Sequence, residues 1–323
     1  MQARSVGSRA LLLFAMAAAA PAWAQQLEPR AYSPAPVGAN FFGVGYANSS
    51  GDVVFDPSLP FSDVSANVNA VAPFCAHTFG LFGRSASIGA VLPYAWGSVE
   101  GNVRETFNRA TRSGFGDAGL RLTCNLFGNP ALSPREFAAK KPGTLLGASL
   151  MVTGPTGEHD GSKLINIGTN RWAFKPELGF SQPLGRWWLD LYAGVWFFTT
   201  NNDVFGGQTR AQDPLAVVQG HVSYTFRPQL WLALNGTWYR GGETTVDGVA
   251  NADRQENSRV GLTLAVPVSK AHGLKFGYAK GTSTRVGSKL DTISVGWQFL
   301  WFDRPLPITA CSPATRPVTG RRP

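Results

Sequence analysis

Ten residues that can carry charge, exchange protons or stack on a solute recur between positions 117 and 275. They are Asp117, Arg121, Arg171, Lys175, Glu177, Asp190, Trp196, His221, Arg259 and Lys275. Opposed charges across a narrow aqueous space create a field that orients and filters solutes. Five of these residues are cationic and three are acidic, which predicts a mild preference for anions. The alternative is that they pair with one another and fill that space, because buried charges need partners.

Catalytic and metal chemistry have weaker support in the sequence. The histidines are His77, His159, His221 and His272, and none has a serine and a carboxamide at a convincing spacing. His221 and Ser223 lie two residues apart, which indicates a polar pair on one strand face. No His, Cys and carboxylate cluster has metal-ligand spacing. We therefore expect no enzyme, no metal and no cofactor.

The elements that carry these residues show apolar and polar side chains alternating with period two. Trp172 and Phe174 alternate with Arg171, Lys175 and Glu177, for example. Such alternation predicts β-strands with two different faces. Twelve segments show it, at 37–48, 62–78, 85–96, 117–126, 143–153, 171–181, 187–197, 218–226, 230–239, 259–266, 274–278 and 292–301.

Charges recur on only one face of these segments. A soluble β-sandwich would bury its apolar face and scatter charges outside, since charge is costly in a packed core. We therefore predict an all-β protein, a closed antiparallel transmembrane β-barrel of about 12 strands with the apolar face toward lipid. In segment 62–78 this assigns the alternate residues Val64, Ala66, Val68, Ala70, Ala72 and Phe74 to the lipid face. It assigns Asn67, Asn69, Cys75 and His77 to the lumen. Cys75 and Cys124 then lie on opposite faces, so no disulfide is expected.

The connections alternate between short turns and long polar loops, which is typical of outer-membrane barrels. Long connections are expected at 48–61, 97–114, 155–169, 200–214 and 241–256. The connection 128–142 is also long, and its Ser-Pro-Arg-Glu sequence from residue 133 predicts a short helix with serine as N-cap and proline first.

The chain divides into four regions. Residues 1–24 have a basic start, an apolar stretch and a small-residue cleavage site, as a signal peptide does. We assign 25–36 to a periplasmic N-terminal segment, 37–301 to the barrel and 302–323 to a disordered C-terminal tail. This predicts export to the outer membrane of a Gram-negative cell. The net charge of +9 is not clustered, so nucleic acid is not an expected partner.

Several stretches resemble a known family. They are residues 31–41, 113–117, 168–177 (GTNRWAFKPE), 205–210, 219–224 and 257–261. In these stretches the chain is similar to the outer-membrane barrels of the "MetA-pathway of phenol degradation" or transporter family. The resemblance implies a barrel over almost the whole mature chain, and passage of small, often aromatic, molecules.

Together these features predict a monomeric outer-membrane channel for passive or facilitated passage of a small organic solute, aromatic in one version of the hypothesis. Its expected partners are lipid, the secretion and barrel-assembly machinery, and the solute. Two alternatives stay open. One is a structural or adhesive barrel with a plugged lumen, and the other is a lipid-modifying enzyme.

Overall fold

A computed structural model describes residues 27–55, 61–103 and 105–303 of the chain. The predicted signal peptide and all of the predicted tail beyond residue 303 lie outside these residues. No helix in the described part of the chain is long and apolar enough to cross a membrane.

The described residues form strands and one short helix. In chain order they are β1 (Ala39–Val54), β2 (Phe61–Leu81), β3 (Arg84–Val91), β4 (Tyr94–Val103), β5 (Thr106–Phe115), β6 (Gly119–Phe127), α1 (Pro134–Ala139), β7 (Leu145–Thr153), β8 (Ala173–Leu184), β9 (Trp187–Phe198), β10 (Asn201–Val204), β11 (Gln208–Gln212), β12 (Leu215–Arg227), β13 (Leu230–Gly241), β14 (Thr244–Val246), β15 (Val249–Ala250), β16 (Gln255–Pro267), β17 (His272–Thr284) and β18 (Gly287–Phe302).

One antiparallel sheet closes on itself to make the barrel. Its strand order is β1-β18-β17-β16-β13-β12-β9-β8-β7-β6-β3-β2-β4-β5, and β1 also pairs with β2. The β1–β18 register runs from Ala39 opposite Phe302 to Val54 opposite Gly287. Because β3 with β4, and β5 with β6, are each one interrupted strand, the barrel has twelve strands. The predicted fold class is confirmed.

The two interruptions lie side by side at Pro93 and Gly116. Pro93 has no backbone N–H to give to a sheet, and its carbonyl accepts the N–H of Gly116 at 2.8 Å. A Cβ on Gly116 would lie 2.9 Å from the Pro93 ring. The proline and the glycine that accommodates it therefore separate the barrel wall from the β4–β5 hairpin beyond it.

The barrel has an apolar outside and a polar inside, as predicted. Large apolar side chains are exposed on the outer face, among them Leu122, Leu178, Leu191, Leu234 and Ile293. The lumen-facing positions of β7 to β16 instead bury Lys, Glu, Asp, Gln, Asn and Ser side chains. An apolar exterior with a polar interior is the arrangement required in a bilayer.

The predicted faces of β2 were wrong. Cys75 lies opposite Phe42, an outward residue, whereas Phe74 lies opposite Gly43, and its ring would meet a Cβ on that glycine. Phe74 and the residues predicted to share its face therefore point into the lumen, whereas Cys75 points outward. Cys124 shares the outward parity of Leu122, so the two cysteines are on the same face and not on opposite faces. Both are free thiols, as expected.

The two ends of the barrel differ. At one end, called here the turn end, two-residue turns join β2 to β3, β8 to β9 and β12 to β13. The predicted helix is also there: Ser133 and Glu136 form a capping box at the start of α1.

The other end, called here the loop end, carries most of the long connections. Two of those predicted, 48–61 and 97–114, consist largely of strand: β1, β2, β4 and β5 extend outward there. The connections near 200–214 and 241–256 supply β10, β11, β14 and β15, which form a second, four-stranded sheet. The loop end is therefore a folded structure with its own hydrogen bonds.

The outward face predicts a depth-dependent cost for charge. Leu191 is exposed near the middle of β9, whereas Leu184 is exposed at the turn-end limit of β8. We expect Leu191→Arg to lower the free energy of unfolding by about 2–4 kcal/mol and Leu184→Arg by about 0–1 kcal/mol. Equilibrium refolding into lipid vesicles, followed by heat-modifiable gel mobility, measures both. Equal costs at the two positions would contradict the proposed lipid-facing surface.

Candidate functional site

The described part of the predicted periplasmic segment lies inside the barrel. We expected 25–36 to stay outside, but residues from 27 onward contact lumenal side chains at the middle and turn end. The backbone N–H of Ala31 donates to the Tyr192 hydroxyl at 3.1 Å, and that of Arg30 to Asp190 at 3.3 Å. At its end, the N–H of Val37 donates to the Leu132 carbonyl at 2.9 Å, just before β1 begins. We call residues 27–36 the lumenal segment.

Tyr32 is the best-seated residue of the lumenal segment, with a side chain only 1% exposed. Its ring lies against Gly147 and Gly179, which face each other across β7 and β8. A Cβ on Gly179 would be 2.1 Å from the Tyr32 ring. The Tyr32 hydroxyl lies 2.9 Å from Ser149 Oγ and donates to Glu177 Oε1 at 3.1 Å. The two glycines thus form a site for the Tyr32 ring, called here the glycine seat. Ser149 and Glu177 beside it are the hydrogen-bond partners of the Tyr32 hydroxyl.

Four charges meet beside Tyr32. Arg121 on β6 contacts Glu177 on β8 at 3.0 Å and forms a close ion pair with Glu28 of the lumenal segment. Lys175 contacts the other oxygen of Glu177 at 2.9 Å. We call Glu28, Arg121, Lys175 and Glu177 the central cluster. Its two acids balance its two cations, and one of those acids comes from the lumenal segment.

Arg30 occupies the turn-end part of the lumen. Its guanidinium lies 4.7 Å from the centre of the Trp231 ring and 5.5 Å from that of Trp188. Its Nε donates to Ser223 at 2.9 Å. Asp190, which also accepts from Trp188 Nε1 at 2.9 Å, supplies the nearby negative charge. Cation–π contacts of this kind are stronger when desolvated, so the two tryptophans hold a charged residue of the segment.

Toward the loop end, cations lie over a stacked pair of rings. Trp196 and Phe198 on β9 stack with centroids 6.3 Å apart. Lys175 lies 5.5 Å from the Trp196 centroid, and Arg171 lies 4.4 Å from that of Phe198. Arg171 precedes β8, and burial, then the charge of Arg210, lower its pKa to about 9. The charge of Asp117 opposes this lowering only in part. Because guanidinium groups stay charged at neutral pH, Arg171 carries a buried positive charge.

The other predicted residues are also in the barrel interior or at its mouth, in different settings. Asp117 accepts the N–H groups of Gly157 and Thr169 at 2.9 and 2.8 Å, so it anchors the 155–169 loop. His221 Nδ1 lies 2.9 Å from Asn235 Oδ1. Arg259 donates to the Leu290 carbonyl at 3.1 Å. These three residues support walls and loops.

Lys275 has a different setting. It faces the lumen from β17, remains exposed, and lies 5.9 Å from the Trp231 centroid. The structure therefore brings Arg121, Lys175 and Glu177 together, sets Asp190 and Lys275 at the turn end, and sets Arg171 and Trp196 near the loop end. A role of these residues in selectivity stays a prediction.

The lumen is asymmetric. Small lumen-facing residues of one wall stay partly exposed, and they are Gly45, Ala47, Ala70, Ala72, Gly277, Ala279, Ser294 and Gly296. The opposite wall, from β7 to β13, is buried under the lumenal segment and its partners. A lumen-facing residue keeps exposure only where there is open space in front of it. We call this strip of β17, β18, β1 and β2 the small-residue wall.

Residues 44–298 match the family described as "Putative MetA-pathway of phenol degradation". The chain belongs to this family. The match spans nearly all of the barrel, so this membership confirms the resemblance seen in the sequence. No functionally curated protein matches the chain in sequence.

Solved structures share the fold of this family member. The COG4313 outer membrane channel from Pseudomonas putida F1 superposes with a TM-score of 0.72 at 23% identity, over 85% of this chain and 100% of that one. The transport unit of the autotransporter AIDA-I from Escherichia coli superposes with a TM-score of 0.50 at 10% identity, over 92% and 99%. At these identities the likeness shows the fold, a twelve-stranded outer-membrane barrel.

The glycine seat predicts a way to release the lumenal segment. Gly179→Ala places a methyl group against the Tyr32 ring, and overpacking of this kind costs about 2 kcal/mol. We expect the peptide bond after Arg30 to be cleaved by trypsin roughly thirty-fold faster in the folded barrel, since cleavage follows the open population.

The matched control is Gly296→Ala on the small-residue wall. A Cβ there would have no neighbour closer than 3.9 Å. Cleavage kinetics with N-terminal sequencing compare the two variants, and the same rate in both would show that Tyr32 does not hold the segment.

Proposed function

We propose that this protein is an outer-membrane channel through which small organic solutes pass along the small-residue wall. The observation that carries the proposal is the asymmetry of the lumen, with one buried wall and one partly exposed wall. Membership of the family and the shared fold support it. A channel needs polar lining without a continuous plug, and this strip of Gly, Ala and Ser side chains leaves room that the lumenal segment does not fill.

The lining suits a solute with a polar group and an apolar or aromatic body. Across the strip lie the central cluster, Trp188 and Trp231, with Lys175 over Trp196. Charged groups attract and orient a polar end, and rings stack on a flat body. The lumenal segment narrows the passage, so the solute is small and the flow is slow.

The plugged, structural barrel is the second candidate, and the buried ion pairs of the central cluster favour it. Charges this well paired contribute little attraction to a passing solute. Catalysis is the weakest candidate, because the nearest polar partner of His221 is the amide of Asn235. We therefore propose transport without chemistry on the solute.

Blocking the small-residue wall tests the channel directly. A Cβ on Gly45 would be 4.0 Å from its nearest neighbour, the Ala72 carbonyl, so a side chain there enters open space. We expect Gly45→Trp to reduce single-channel conductance in planar bilayers to less than about half, because the indole occupies the passage.

Gly236→Trp is the control, since Gly236 faces outward on β13 and is equally uncrowded. Its conductance should equal that of the unmodified protein. A barrel that folds and inserts but never conducts, with or without the lumenal segment, would rule out the channel and leave the structural alternative.

The balance of the central cluster predicts ion selectivity. Glu28→Gln removes one of its two acids, so the lumen becomes more positive by one charge. We expect the chloride-to-potassium permeability ratio to rise by about two-fold or more, as a single charge in a narrow pore shifts ion entry. Glu136→Gln is the control, because Glu136 lies in α1 and caps that helix. Reversal potentials in a salt gradient measure both, and a fall in the ratio with Glu28→Gln would contradict the placement of Glu28 beside the passage.

A further inference from the structure

A cleft opens at the loop end, between the 155–169 loop and the β10–β11 hairpin. Its volume is about 490 Å³, part of it open to solvent. Its lining includes His159, Leu164, Arg171, Phe205 and Arg210. Because Arg171 continues the lumen-facing positions of β8, the cleft lies at the mouth of the barrel.

The cleft is held by a folded framework. Asp117 fixes one side of the loop through Gly157 and Thr169. Asn201 on β10 donates to the Thr169 carbonyl at 3.0 Å and accepts from Asn170 at 3.0 Å. The N–H of Gly206 donates to the Gly161 carbonyl at 3.2 Å. Loop and hairpin are thus joined at several points, and the cleft exists before any ligand arrives.

Two arginines in the cleft lack acidic partners at ion-pair distance within the described residues. Arg171 is 6% exposed, and its Nη1 has no hydrogen-bond partner there; its Nη2 donates to the neutral amide of Gln212. The buried Nε of Arg210 also lacks a partner. Leaving such a buried donor unsatisfied is costly. Burial lowers the pKa of Arg210 to about 10, and the charge of Asp253 opposes this only in part.

The nearby acids are already engaged elsewhere. Asp117 accepts backbone and hydroxyl hydrogens from its loop. Asp160 pairs with Lys163 at 3.1 Å. Asp253 accepts the N–H of Thr244 at 2.7 Å. No acid is among the described residues that line the cleft, and its two guanidinium groups keep free donors.

We propose that this cleft binds the carboxylate group of a small organic anion, with Arg171 and Arg210 as the receiving cations. A planar guanidinium matches a carboxylate through two parallel hydrogen bonds. Leu164 and Phe205 line the same cleft, and the Phe198 ring lies beneath Arg171, so the body of the ligand is apolar or aromatic. Inorganic anions would use the arginines alone and leave these apolar side chains without a partner.

The site gives the channel a substrate class, and this part of the inference rests on the proposed function. An anion released from the cleft moves next to Lys175 over Trp196, and then to the other residues of the central cluster. Binding in the cleft, however, does not depend on conduction. The two can therefore be tested separately.

Isothermal titration of the full mature protein in detergent tests the binding, with benzoate as the probe. Benzyl alcohol, the same ring without the charge, should bind at least about ten-fold more weakly, and phosphate should bind more weakly than benzoate. Arg171→Gln and Arg210→Gln should each weaken benzoate about ten- to hundred-fold, as expected for losing a charged hydrogen bond. The benzoate affinity of Arg171→Lys should lie between those of the unmodified protein and Arg171→Gln. Lysine keeps the positive charge but cannot form the two parallel hydrogen bonds of a guanidinium group.

Arg109→Gln is the matched control, since Arg109 is an exposed loop-end arginine paired with Glu100. It should bind benzoate as the unmodified protein does. Heat-modifiable gel mobility establishes that each variant is folded, and Arg210→Gln, at a partly exposed position, keeps the test valid if Arg171→Gln misfolds. Equal affinity for benzoate and benzyl alcohol, or unchanged benzoate affinity in a folded Arg210→Gln variant, would overturn the proposal.

Bilayer recordings with benzoate separate the two hypotheses. If the protein conducts but neither binds benzoate nor changes its current on benzoate addition, the cleft inference fails and the channel stands. If benzoate binds with the expected arginine dependence and no current ever flows, the cleft stands and the channel fails.

Discussion

The lumen depends on one electrostatic balance, that of Glu28, Arg121, Lys175 and Glu177. Within the lipid bilayer, a barrel can place charged side chains only in its lumen. There they must be paired with opposite charges or hydrated. The strands alone supply two cations and one acid at this point. Glu28 of the lumenal segment supplies the second acid, and its ion pair with Arg121 brings Tyr32 to its glycine seat. The position of the segment, and hence the shape of the passage, follows from that balance.

The segment also explains why the two walls differ. Where it lies, strands β7 to β13 present side chains that reach toward it, and Gly147 and Gly179 recede to admit its tyrosine. Where it does not lie, the small-residue wall of β17, β18, β1 and β2 presents Gly, Ala and Ser, beside larger lumenal side chains such as Phe74 and Lys275. A wall of small residues opposite a filled wall keeps an off-centre gap, which a barrel of this size with uniformly large lumenal side chains would lose.

Much of the fold could be predicted from the sequence because alternation is a local signal. Each of the twelve barrel strands has enough period-two pattern to be recognised, and the charged positions 171, 175 and 177 identify the lumenal face of β8. The faces of β2 were misassigned because Asn67 and Asn69 resemble lumenal residues. They are instead outward, near the loop end, where they hydrogen-bond with Tyr46 and Asn48. Asn67 and Asn69 are polar because they lie beyond the lipid-contacting part of the barrel, not because they face the lumen.

The lumenal segment and the cleft could not be predicted in this way, because their contacts join distant parts of the chain. Arg30 and Ser223 are 193 residues apart, and Arg121 and Glu28 are 93 apart. A single local signal was available, the Glu-Pro-Arg-Ala-Tyr sequence from residue 28, whose charges and aromatic ring are unusual for a simple linker. Arg210 lies in a loop with no periodic pattern, so only the folded hairpin shows that it shares a cleft with Arg171.

The cleft and the central cluster are chemically alike, and in the proposed channel this bears on how a solute would pass between them. In the cleft, two guanidinium groups have free donors; in the cluster, the carboxylate of Glu28 fills the corresponding place beside Arg121. Arg171 of the cleft and Lys175 of the cluster each lie over a ring, and both rings are on one face of β9. A carboxylate with a flat apolar body finds the same pair of contacts, cation and ring, at successive depths. A series of similar sites, each of moderate affinity, favours transport over tight binding. A solute must be able to leave each site as readily as it enters.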